Sequence, residues 1–239
     1  MLPKIDLPIF NLNLPSSGKL ISVRPFIVKE EKLLLMALES NDNREIINTT
    51  KQVINNCILS GENVENMPFF DVDYLFIALR AKSIGESINV KFTCNNYPNG
   101  NKCGHIFDAK IDITNCEVIK NNEIDFNIPL SGNSSVKMRY PTYTTMKNIL
   151  VNDNVLNKKI YIIAGSIEQV QTGDSVLTTK DITRDELVQF VENLTREQFK
   201  KLEAFVDNLP TFVVNAEETC GACGFNHKIQ YTEFESFFV

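Results

Sequence analysis

The residues best equipped for chemistry are four of the six cysteines. Cys220-Gly-Ala-Cys223-Gly224 is a C-x-x-C turn, a spacing that aims two thiolates at one tetrahedral centre. A glycine after the second cysteine lets the backbone curl so that amides can face the sulfurs. Structural zinc takes four ligands, so one pair is half a site. Cys94 and Cys103 offer the other half. They bracket an Asn/Gly/Pro turn, and Gly104 follows the second of them. The pattern predicts one structural zinc ion held by Cys94, Cys103, Cys220 and Cys223 at two hairpin tips, as in a zinc ribbon. It departs from a plain ribbon in the first spacing, eight residues instead of two, and in the long insert, residues 104–219.

Other readings compete with this one. Cys94 and Cys103 could pack in a core while Cys220 and Cys223 form a redox pair, or all the cysteines could be inert. A redox C-x-x-C opens a helix after a strand, whereas Val214–Thr219 and Phe225–Gln230 both alternate like strands. Catalytic zinc is disfavoured because four thiolates leave no open coordination position. The two histidines, His105 and His227, each follow a cysteine pair. Either could replace a cysteine as fourth ligand, but four cysteines already fill the shell, so both read as ribbon-surface residues. Cys57 reads as core on the apolar face of a helix, and Cys116 as inert at a strand end.

No catalytic constellation accompanies the cysteines. Phosphate-binding, dinucleotide-binding, zinc-protease and nucleophile-elbow motifs are missing. Asp71 and Asp73 could pair around a metal, yet a helix N-cap and first turn account for them, as a first turn does for Glu30 and Glu31. The expectation is a protein that is not an enzyme. A net charge of −6, with no long basic run, argues against a dedicated nucleic-acid binder. The start lacks the pattern of a secretory leader, and no stretch reaches the ~18–20 apolar residues of a bilayer crossing. A cytosolic site of synthesis is expected, where clustered cysteines suggest metal before disulfide.

The elements that must position these residues follow from periodicity. Residues 1–27 read as an extended arm with one short strand, Ile21–Ile27. Residues 28–86 read as helical: Val28–Leu38, a second helix capped by Asp42 with Glu45 and stopped at Gly61, and Tyr74–Ile84 capped by Asp71. Residues 87–141 form a β segment with the first cysteine pair. Its strands are Ser87–Cys94 and Ile106–Ile113, then a hairpin of Ile124–Leu130 and Ser135–Tyr140. Residues 142–209 are helical again, with a helix over Val155–Gln171 and capping boxes at Thr183–Glu186 and Thr195–Gln198 opening an αα-hairpin. Residues 210–239 form a β tail with the second pair. The class is α+β, with residues 28–239 expected as one compact domain. Because each distant β segment carries a cysteine pair, the two should meet in space.

Taken together, these segments resemble the baseplate hub assembly protein family of T-even-type contractile-tailed bacteriophages. The resemblance rests on Leu7-Pro-Ile-Phe10, Pro15-Ser-Ser-Gly-Lys19, Arg24-Pro-Phe26, the stretches Lys29–Ser40 and Asp71–Glu86, the cysteine pairs, Asn193-Leu-Thr195 with Gln198-Phe199, and Phe237-Phe238. It implies a virion structural or assembly protein of the baseplate hub that works by binding. Its implied partners are other hub proteins and the tape-measure protein, in the host cytoplasm during assembly and in the virion tail. Alternatives are a zinc-ribbon nucleic-acid module, for which Lys102 and Lys228 stand nearly alone beside Glu217 and Glu218, and a thiol oxidoreductase. Candidate contact surfaces are the arm Leu2–Phe10 and the apolar cluster Phe234, Phe237, Phe238 and Val239.

Overall fold

The computed structural model describes residues 5–120, 124–150 and 155–232, without the side chains of residues 148, 150 and 155–157. The class is α+β, as expected. In chain order the elements are β1 (Phe10–Asn13), β2 (Leu20–Val23), α1 (Val28–Glu39), α2 (Asn43–Cys57) and α3 (Phe69–Ser83). Next come β3 (Ser87–Thr93), β4 (Ile106–Asp112), β5 (Cys116–Ile119), β6 (Asn127–Ser131), β7 (Ser134–Met138), α4 (Tyr143–Leu150) and α5 (Val155–Ser166). The chain closes with β8 (Ile167–Thr172), β9 (Ser175–Thr178), α6 (Arg184–Glu192), α7 (Arg196–Asp207), β10 (Thr211–Thr219) and β11 (Asn226–Tyr231). Two compact units result. One comprises Met1–Glu62, Asp73–Ile119 and Thr211–Val239; the other comprises Asn63–Val72 and Lys120–Pro210.

In the first unit the N-terminal segment holds two strands where one was predicted. Pro15-Ser-Ser-Gly18 closes a turn, with the Gly18 amide donating to the Leu14 carbonyl (2.8 Å) and the Leu14 amide to that of Lys19 (2.9 Å). Gly18 sits at φ +70°, where a side chain would be strained. The hairpin β1–β2 then pairs Phe10 with Val23 and buries Ile21 and Val23.

A buried ion pair ties this hairpin to α1. Both guanidinium ends of Arg24 donate to the Glu30 carboxylate, at 2.7 and 2.8 Å, and Glu30 is only 3% exposed. Glu30 also accepts the Ile27 amide (3.0 Å), half of a capping box, since Ile27 has no polar side chain to reciprocate. The Cys57 thiol packs against the same carboxylate at 3.8 Å. Burial alone would raise the Glu30 carboxyl, but the Arg24 hydrogen bond, the Ile27 amide and the Arg24 charge together hold it below the usual carboxylate range. Burial, then the Glu30 charge, pushes the Cys57 thiol up to about 12, so it is a neutral core group, as its place on α2 predicted.

Two helix boundaries differ from expectation for tertiary reasons. α2 begins at Asp42, whose side chain accepts the Arg44 amide (2.8 Å), but it ends at Cys57 and not at Gly61. Ile58 is drawn into a bridge with Val23, and the Leu59 amide donates to the Ser22 carbonyl (2.8 Å), so this stretch follows β2 and leaves the helix. α3 begins five residues before Tyr74. The Pro68 carbonyl takes the Asp71 and Val72 amides, so Asp71 lies inside the first turn, fully buried, and is not an N-cap. The helix is apolar on nearly all sides, and Val72, Leu75, Phe76, Ile77 and Leu79 are buried.

The second unit is an antiparallel meander, β6-β7-β8-β9, with α7 packed on β6 and with α4, α6 and α7 on α5. Both predicted capping boxes form. Thr183 and Glu186 exchange bonds of 3.3 and 2.8 Å, and Thr195 and Gln198 exchange bonds of 3.3 and 2.9 Å. The predicted helix Val155–Gln171 stops at Ser166, and Ile167–Thr172 is a strand. Ile167 and Val170 are three apart, a helical spacing. A bulge opposite Lys137 and Met138 adds one residue to β8, and this turns both toward the core. α4 was not predicted; Thr142 caps it by accepting the Thr145 amide (3.3 Å). At Gly165 an added Cβ would lie 2.4 Å from Thr145 Cγ2, so this glycine is what permits the approach. Among the described residues no helix is long and apolar enough to cross a membrane.

The Arg24–Glu30 pair makes a testable claim about stability. Arg24→Met leaves a buried carboxylate without its partner, and the cost is expected at about 3–5 kcal/mol. The urea midpoint should fall accordingly. Because the folded Glu30 pKa is depressed, its contribution is complete above the unfolded carboxylate pKa and is lost as pH drops through the folded value. The stability gap between wild type and Arg24→Met should therefore narrow as pH falls, beginning where the variant's unpartnered carboxylate, raised by burial, takes up its proton and ending below the wild-type folded value.

Candidate metal centre

The ribbon β3–β4 pairs from Ser87 opposite Asp112 to Thr93 opposite Ile106, which delivers Cys94 and Cys103 to its open end. The hairpin β10–β11 pairs from Val214 opposite Tyr231 to Thr219 opposite Asn226, which delivers Cys220 and Cys223 to its turn. The Lys110 amide donates to the Glu218 side chain (3.0 Å), so the two hairpins lie side by side. β10 also pairs with β5, in the order β11-β10-β5, and this anchors the second hairpin in the first unit.

The two cysteine turns share one hydrogen-bond pattern. The Cys94 amide donates to the His105 carbonyl (2.8 Å), and the Cys220 amide to that of Phe225 (2.9 Å). The Gly104 amide donates to the Cys94 carbonyl (3.1 Å), and the Gly224 amide to that of Cys220 (2.8 Å). In each case the acceptor of the first cysteine's amide stands two residues beyond the second cysteine, and the glycine stands one beyond. Gly104 and Gly224 have φ of +64° and +69°. The eight-residue spacing is therefore the same turn with an insert, tied back by the Cys103 amide on the Asn96 carbonyl (2.8 Å).

The four sulfurs lie within 4.8 Å of one another. Cys94 to Cys223 is 3.7 Å and Cys103 to Cys220 is 3.9 Å. A tetrahedral ion with metal–sulfur bonds of ~2.3 Å has edges of about 3.8 Å. A disulfide would bring two sulfurs to ~2.05 Å, and all four cysteines are free thiols. The donor set suits a soft or borderline cation such as zinc. Cys94 and Cys220 are fully buried, while Cys103 and Cys223 are partly exposed. The Phe225 amide, then the Asn96 side chain (Nδ2 3.7 Å from the sulfur), lower the Cys223 thiol to about 7. Burial drives the Cys94 thiol the other way, to about 12. Thiols this close cannot all ionise without a cation between them.

The remaining candidates separate cleanly. His105 is exposed, stacked beside Phe107. His227 is not at the ribbon surface, as expected, but 4% exposed, with Nε2 3.2 Å from Cys94 Sγ. The alternation along β11 carried that signal, since His227, Ile229 and Tyr231 share its less exposed face. Burial raises the Cys116 thiol to about 11. Asp71 and Asp73 are buried in α3, Asp71 near enough to Tyr140 for its charge to help raise the phenol.

These features define a class: an α+β protein whose two cysteine hairpins meet in a four-thiol cluster of metal-binding geometry. Within that class the family is specific. The family model of the T4 bacteriophage base plate protein matches residues 7–239, and the chain belongs to this family. Neither the curated proteins nor the solved structures give a significant match. Membership of a baseplate family implies contact with other phage structural proteins.

The shared turn can be tested through its glycines. Gly104→Ala and Gly224→Ala each force a side chain into left-handed backbone and should cost about 1–2 kcal/mol in thermal or urea unfolding. Gly221→Ala, at ordinary φ with open space around it, should change nothing measurable.

Proposed function

We propose that this chain is a non-enzymatic structural or assembly protein of the phage baseplate hub, stapled by one structural zinc on Cys94, Cys103, Cys220 and Cys223. The family match over residues 7–239 carries the reading. The sulfur geometry supports the metal, and thiolate ligation in all four positions leaves none for substrate. Other hub proteins and the tape-measure protein are the proposed partners, met in the host cytoplasm and retained in the tail. A nucleic-acid role has little support, because Lys228 is engaged by Glu217 (3.6 Å) on an acidic strand.

The N-terminal arm is the proposed contact. Ile5, Leu7 and Ile9 occupy alternate positions just ahead of β1 and are 86%, 39% and 65% exposed, an apolar pattern suited to strand-like docking. Leu2 and Pro3 of this arm, and the cluster Phe234–Val239, lie outside the described residues. Removing residues up to 12 would also delete most of β1, so substitution is the cleaner experiment.

Two measurements check the proposal. Metal analysis should find one zinc per chain in the wild type and none in Cys220→Ser, which should aggregate, whereas Cys57→Ser keeps its zinc. In pull-downs from infected cells, wild-type protein should recover hub or tape-measure proteins, and the triple variant Ile5→Ser, Leu7→Ser, Ile9→Ser should lose them. Recovery of no tail proteins by the wild type refutes the assignment. Undiminished recovery by the variant refutes only the arm.

A further inference from the structure

Four thiolates around a divalent cation carry a net charge of about −2. Two of these sulfurs, on Cys94 and Cys220, have no exposure to water. Buried negative charge is tolerated only where hydrogen-bond donors surround it. Backbone amides supply part of that: Asn96 donates to Cys94, His105 to Cys103 and Phe225 to Cys223. Two side-chain nitrogens also stand beside these sulfurs. His227 Nε2 stands 3.2 Å from Cys94 Sγ, against 3.7 Å for Asn96 Nδ2 at Cys223.

The imidazole is held in place. Phe225, Phe92 and Phe107 pack around it with ring centroids at 4.8, 5.0 and 6.2 Å. β11 sets its direction, with His227 opposite Glu218 in the register and its side chain on the less exposed face. A ring fixed by three aromatic neighbours cannot turn away without emptying that box. In this box its Nε2 faces the Cys94 sulfur.

We infer that His227 is the positioning residue of the metal centre: its Nε2–H donates to the Cys94 thiolate, fixes that ligand's orientation and offsets its buried charge. The inference rests on the metal reading above. His227 is not itself a ligand in this reading: the four sulfurs within 4.8 Å of one another already supply a tetrahedral ion's four ligands, and the ring nitrogen is not part of that group. Loss of such a donor behind a ligand lowers metal affinity about 10–100-fold.

The test uses the full chain loaded with cobalt(II), whose visible bands report the ligand set, and zinc competition against a chromogenic chelator. Wild type, H227F and H227Q should share the bands of an all-sulfur tetrahedral site. H227F should lose about 10–100-fold in zinc affinity. H227Q, whose amide nitrogen reaches the Nε2 position, should stay near wild type, and H227N, whose amide falls short of it, should behave like H227F. The pair H227Q and H227N keeps the comparison open if H227F fails to fold. Equal zinc affinity in H227N and wild type overturns the inference. So do cobalt bands in the histidine variants that report a missing ligand, which would make His227 a ligand. A wild-type chain that retains no metal overturns the metal reading itself, and this inference with it.

Discussion

Electrostatic crowding of four thiols is the constraint on which the first unit turns. Cys94 and Cys223 are 129 residues apart in sequence and 3.7 Å apart in space. Closing so long a loop has an entropic cost that grows only logarithmically with length, so the distance itself is not the difficulty. The difficulty is charge. Deprotonating one sulfur opposes deprotonation of the next, and the surroundings divide the sulfurs further: the Phe225 amide draws Cys223 down, while burial drives Cys94 up. The proposed divalent cation would convert the repulsion into attraction and make folding of the two hairpins and metal capture one equilibrium.

The second fixed point, the Arg24–Glu30 pair, works by other means. It is satisfied without any ion, by bidentate geometry and the Ile27 amide. It gathers the ends of β2, α1 and α2 around one carboxylate, because the Arg24 amide also donates to the Cys57 carbonyl. The Arg24-Pro-Phe26 and Lys29-Glu-Glu31 stretches, which carry part of the family resemblance, thus have a physical reason to occur together. Phe26 contributes as well, its ring 6.0 Å from that of Phe76 on α3.

Local chemistry was legible in the sequence, and long-range geometry was legible only where residue types forced it. The capping boxes at Thr183 and Thr195 formed as read, because the signal and its partner lie three residues apart. The four cysteines do cluster, as a C-x-x-C pair in want of a second half suggested. The β8 strand is hidden in the sequence because a bulge gives its apolar residues a helical spacing, and a bulge exists only relative to a partner strand. The end of α2 was misread for a similar reason: Ile58 answers to Val23, some thirty-five residues away. In the sequence His227 reads as a surface residue because four cysteines already fill the shell, and Phe92 and Phe107 of the other hairpin become its neighbours only in the fold.

The first unit is assembled from both ends of the chain, with the second unit's longer segment, Lys120–Pro210, inserted between its parts. On the ribosome this imposes an order of events. Cys103 emerges 117 residues before Cys220. At ~5–20 residues per second the first pair waits roughly 6–25 s for the second. Residues 120–210 are made within that interval and are complete before Cys220 emerges, while Cys94 and Cys103 can supply at most half of the proposed coordination shell. Translation thus finishes the insert before the β10–β11 hairpin, and that later hairpin is the one that would shut the site.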